Sequence, residues 1–145
     1  MSSAAISSGR TTRIPFGRIV RAGAIAAVGA VLANVLVYFV ASALGWMPAT
    51  YINPQLGRPI GVGEVVGATL PGAVGATIVF ALLARFTRRP VTIFRIVAGV
   101  VLVLSFLSPL ALPGAPLSLI LSLEIMHVVA AAVIVGVLTM RASAA

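Results

Sequence analysis

The sequence predicts an all-α integral membrane protein, folded as an antiparallel four-helix bundle. Three observations carry that prediction. First, 61% of the 145 residues are apolar and only 8% are charged, with a mean hydropathy of +1.20. A soluble domain is roughly half apolar and a quarter charged, and could not cover its core with so little polar surface. Second, four stretches are long enough to cross a bilayer core of about 30 Å, which takes about 20 apolar residues in a helix. Third, the breaks between them hold the Pro, Gly and Arg residues that end helices.

The first predicted helix covers residues 22–45 and contains no charge. Residues 1–20, rich in Ser, Thr, Gly and Arg, read as a disordered tail. Arg residues, an apolar run and Ala41-Ser42-Ala43 also resemble a signal peptide. That run is about 20 residues, however, whereas a signal core is about 7–15. Residues 47–61 carry Pro48, Pro54 and Pro59 with Gly57 and Gly61, and read as a loop.

The second helix covers 62–84, with Glu64 near one end. Pro71 inside it lacks the N–H that would reach the Gly67 carbonyl, which predicts a fixed bend. Residues 85–90, RFTRRP, form a short basic turn. The third helix covers 91–112, with Arg95 near one end, and Pro113-Gly114-Ala115-Pro116 stops it. The fourth covers 117–140 and holds Glu124 and His127 well inside. The membrane domain thus spans 21–141, followed by a short tail at 142–145. Two short connections favour antiparallel neighbours.

Charge sets the orientation. All ten basic residues are Arg, against two acids, for a net charge of +8. Arg10, Arg13, Arg18, Arg21, Arg85, Arg88, Arg89, Arg95 and Arg141 fall on one side of the bundle, and Arg58 alone on the other. Cytoplasmic loops collect Arg and Lys, so both termini and the 85–90 turn are expected in the cytoplasm, with the Arg side chains against anionic lipid headgroups. Trp46 and Tyr51 then mark the outer interface, and Phe16, Phe86 and Phe94 the inner one. Nucleic-acid binding is set aside, because the basic residues sit at the ends of apolar spans and no soluble module presents them.

Several chemistries are excluded. With no cysteine there is no disulfide, thiol catalysis or iron–sulfur ligation. One histidine cannot build a metal site of several imidazoles within a chain. Both acids are Glu, so a Ser-His-Asp set cannot be assembled, and no phosphate-binding Gly loop or glycosidase carboxylate pair is present. No catalytic, cofactor or metal residue is assigned, and a non-enzymatic protein is expected.

Small residues recur at helix-packing spacing: Gly63-x-x-x-Gly67 and Ala68-x-x-x-Gly72-x-x-x-Ala76 in the second helix, Ala26-x-x-x-Ala30 in the first, Ala132-x-x-x-Gly136 in the fourth. They predict Gly67 and Gly72 at a helix–helix contact, within the bundle or across a homodimer.

The intramembrane polar residues are the candidate site, since ionisable groups at that depth are rare and costly. Glu124 lies roughly 10 Å below the outer surface, and His127 one turn deeper on the same face. Asn34 and Tyr38 of the first helix, Thr69 of the second and Ser105 of the third fall at similar depth. Every helix thus contributes a polar group to one layer of the outer half. The layer reads either as an interhelical hydrogen-bond network or as an outward-facing cavity that binds a small ligand or relays protons.

The segments AxxANVLVYFVA in the first helix, ARFTRRPVTIFR at the inner turn, LSFLSPL in the third helix and LSLEIMHVVAAAVI in the fourth resemble a family of small bacterial four-helix membrane proteins, known as a domain of unknown function (number sixty sixty-nine). The resemblance covers about residues 18–140 and is most particular at Asn34, Ser105, Pro109, Met126 and His127. It implies the four-helix architecture and a bacterial inner membrane, and no activity. Three functions then compete: a structural or accessory membrane subunit, a homodimeric proton-coupled transporter using Glu124, and a haem or quinone protein using His127.

Overall fold

The computed structural model describes residues 14–143. The expected tail over residues 1–13 and the last two residues lie outside the described part. Five helical segments follow one another: α1 (Phe16–Ala43), α2 (Val62–Phe86), α3 (Pro90–Ser105), α4 (Leu107–Leu110) and α5 (Leu117–Ser143). They make four spans long and apolar enough to cross a membrane, the third running from Pro90 to Leu110.

Helix α1 begins at Phe16, inside the stretch 1–20 that reads as tail. Pro15 precedes it in extended conformation, and Arg18 and Arg21 lie in its opening turns, where guanidinium groups can still reach water. A left-handed Gly45 (φ 72°) ends the helix. Its N–H donates to the Ser42 carbonyl at 3.0 Å, and that of Trp46 to the Ala41 carbonyl at 2.8 Å, a Schellman arrangement.

The connecting loop is more ordered than its Pro content predicts. Asn53 pairs with Arg58 in an isolated antiparallel bridge, and its side-chain oxygen accepts the Gln55 N–H at 2.8 Å. Gly57 (φ 66°) supplies the left-handed residue of that turn. At the start of α2, Glu64 reaches back to accept the Gly61 N–H at 2.8 Å and pairs with Arg58. Its carboxylate therefore caps the positive end of the helix.

Pro71 lies within α2, which continues unbroken past it. The interruption falls instead in the third span. The sequence predicts one helix over 91–112, but α3 stops at Ser105 and a short α4 follows Phe106. Pro109 explains the break: it cannot donate to the Ser105 carbonyl, and its ring crowds it. The Ser105 hydroxyl meanwhile donates to the Leu102 carbonyl at 2.7 Å, a back-bond that bends helices.

Helix α1 packs most extensively against α5 and α2. The apolar core joins Ile19, Ala22, Ala26 and Ala30 of α1, Ala73 and Phe80 of α2, Phe94 of α3, and Ile134 and Leu138 of α5. The Phe80 and Phe94 rings meet edge to face, centroids 5.0 Å apart. Helix α3 is held loosely and buries only Phe94. Arg95 adds a 3.5 Å hydrogen bond to the Thr139 hydroxyl of α5. Tyr51 donates to the Pro113 carbonyl at 3.2 Å, which joins the loop after α1 to the turn before α5 at the same end of the bundle.

The small-residue expectation holds in α1 and, within the bundle, fails for the glycines of α2. Ala26 and Ala30 are fully buried, as their spacing predicts. Gly67 and Gly72 are exposed, and a Cβ at either would meet nothing within 4 Å. The close approaches are elsewhere: a Cβ on Gly23 would come within 2.5 Å of Thr77, and one on Gly29 within 3.2 Å of Val133. The face of α2 turned inward is Val65-Thr69-Ala73-Phe80, which carries both the bulk of Phe80 and a hydroxyl for α1.

Candidate functional site

The polar layer lies in the half of the bundle away from the Arg-rich end. Only one of its expected interhelical links is made. The buried Asn34 side-chain amide donates to the Thr69 hydroxyl at 3.0 Å, and that hydroxyl donates to the Val65 carbonyl at 2.7 Å. The Asn34 Oδ1 is buried without a partner among the described residues.

The other candidates stay on their own helices. His127 Nδ1 lies 2.7 Å from the Leu123 carbonyl. A carbonyl only accepts, so Nδ1 carries the proton and, in the neutral ring, Nε2 keeps its lone pair. Ser105 is committed to Leu102, as above. Tyr38 stacks edge to face on Phe39, centroids 5.6 Å apart, and makes no hydrogen bond with the described residues.

Glu124 stands apart. Both carboxyl oxygens are buried, and neither has a hydrogen-bond partner among the described residues. No ion pair joins it to His127; among the described residues the one carboxylate pair is Arg58–Glu64. Helical phase explains why it misses Asn34. At about 100° per residue, Glu124 is roughly opposite Val133, which meets α1, and only about 60° from Thr139, which meets α3. Glu124 therefore lies on the α3 flank of α5.

Two serines belong to this layer and were missed in the sequence. Ser122 is 1% exposed and donates to the Ser118 carbonyl at 2.8 Å. Ser42 has a buried hydroxyl with no partner. The place of Ser122 inside the last apolar run was the available signal, whereas Ser42 lies at the end of α1. Among the described residues no three His, Cys, Asp or Glu side chains come together as a metal site.

Four apolar spans with a layer of polar groups at membrane depth define a multi-pass membrane bundle. The chain belongs to the Family of unknown function DUF6069, which matches residues 15–144. No curated protein and no solved structure matches it.

Proposed function

We propose that the protein is a structural or accessory subunit of a bacterial inner membrane, with no reaction of its own and with both termini in the cytoplasm. One observation carries this reading: among the described residues the polar side chains at depth make a single hydrogen bond between helices. Asn34 and Thr69 fasten α1 to α2, while Ser105, Ser122 and His127 bond to carbonyls of their own helices. Such bonds fix helix register and contribute about 0.6–2 kcal/mol each. The orientation is supported by nine Arg against one, with the Tyr51–Pro113 bond at the Arg-poor end. A reporter fused after Ala145 should be active only in the cytoplasm; periplasmic activity would reverse the orientation.

The second reading is a homodimeric proton-coupled transporter, favoured by the buried, unpartnered carboxyl of Glu124. The open face of α2 at Gly63 and Gly67 would suit a second copy. Glu124→Gln separates the two. In the subunit reading the variant folds, melts at or slightly above the parent, and changes no proton flux in liposomes under an imposed pH gradient. In the transporter reading it abolishes a flux that the parent shows.

A further inference from the structure

Helices α1 and α2 touch where Gly23 faces Thr77, and Ala26, Ala30 and Ala73 continue that contact toward the polar half. On the Arg-rich side of Gly23 they separate. A groove of about 450 Å³ opens between them, walled by Phe16, Ile19, Val20, Ile78 and Leu82, with Arg85 at its mouth. Only Ile19 of these apolar residues is buried; the rest are about half exposed or more. Eight residues separate Thr77 from Arg85, so the groove runs roughly 12 Å along α2.

Its charge is complementary to one kind of occupant. Arg85 has no carboxylate or hydrogen-bond partner among the described residues; its guanidinium lies over the Phe86 ring, 5.8 Å from the centroid. No acidic side chain is available nearby, since both acids, Glu64 and Glu124, lie in the other half of the bundle. Exposed Arg88 and Arg89 follow in the next turn. No described acidic side chain supplies an anion for Arg85, and an apolar slot leading from it into the bilayer must be filled to keep its dispersion contacts.

We propose that this groove binds one anionic phospholipid, with an acyl chain along Val20 and Ile78 and the phosphate on Arg85. A guanidinium fork matches phosphate geometry, and basic clefts between membrane helices are sites for anionic headgroups. The site is independent of which way the bundle faces.

Native mass spectrometry of the full chain, offered phosphatidylglycerol and phosphatidylcholine with the same acyl chains, tests it. Phosphatidylglycerol should be retained about fivefold over phosphatidylcholine, and Arg85→Ala should remove that preference. Ala81→Trp, which fills the groove and keeps the charge, should cut retention of both lipids. Arg141→Ala, outside the groove, should leave retention unchanged. Arg85 is exposed, so its variant decides the matter even where Ala81→Trp does not fold. Equal retention of the two lipids, or a preference that survives Arg85→Ala, would overturn the proposal. Displacement by inorganic phosphate alone would reduce the site to an anion contact without an acyl seat. A dimer that Ala81→Trp dissociates would place a second copy there instead.

Discussion

The two halves of the bundle are held by different means. Toward the Arg-rich end the helices share an apolar core of Ala, Ile, Leu and two Phe rings. Toward the other end the helices are fastened by one Asn–Thr bond, with Tyr51–Pro113 joining the loops, and all four buried side-chain atoms without partners among the described residues are found there: Asn34 Oδ1, Ser42 Oγ and both Glu124 oxygens. In lipid, apolar surface alone does not drive helices together, so association depends on close packing and on hydrogen bonds. The first half uses mainly packing, with the Arg95–Thr139 bond beside it. The second uses hydrogen bonds and leaves several unmade, each of which carries a desolvation cost.

The contrast can be broken at its strongest point first. Phe80→Ala removes the ring at the centre of the packed half and should lower stability by about 3 kcal/mol in a reversible detergent unfolding titration. A loss no larger than that of a polar-half variant would erase the distinction. Gly23→Ala should cost roughly 1–3 kcal/mol, because its new methyl meets the short, branched Thr77 side chain. Thr77→Ala in the same chain should recover most of that; no recovery would mean that α1 and α2 do not meet there.

In the polar half the expected effect is smaller. A double-mutant cycle on Asn34→Ala and Thr69→Ala should give a coupling of about 1 kcal/mol. A coupling near zero would leave the polar layer without any fastening role. Gly67→Ala and Gly72→Ala should be neutral or stabilising by at most about 1 kcal/mol, since Ala favours helix and the added methyl meets open space. Destabilisation of either variant that grows with protein dilution would instead put a second copy against that side of α2.

The spans were legible because length and hydropathy are properties of a run, and a run survives any uncertainty about packing. Rotation about the helix axis was not legible. Spacing of four residues says that Gly63 and Gly67 share a face, and says nothing about what that face meets. Phe80 and Thr69 turned α2 the other way, because their volume and hydroxyl gain more from a neighbour than a glycine does. The same gap separated Glu124 from Asn34: equal depth on two helices does not make two side chains face each other. Pro109 was a visible reason for the break at Phe106, but the apolar run around it reads as one span.

Helix α1 finds its largest partner in α5, the last of the described helices. During synthesis at about 5–20 residues per second, the roughly 100 residues from Ala43 to Ser143 take about 5–20 s to appear. Over that interval Gly29 has no Val133 beside it, and the α1 side of the core waits for Ile134 and Leu138. Assembly is therefore paced by translation of the final span, and a chain arrested before residue 117 would sit in the bilayer with its most tightly packed surface open to other membrane helices or to quality-control proteases.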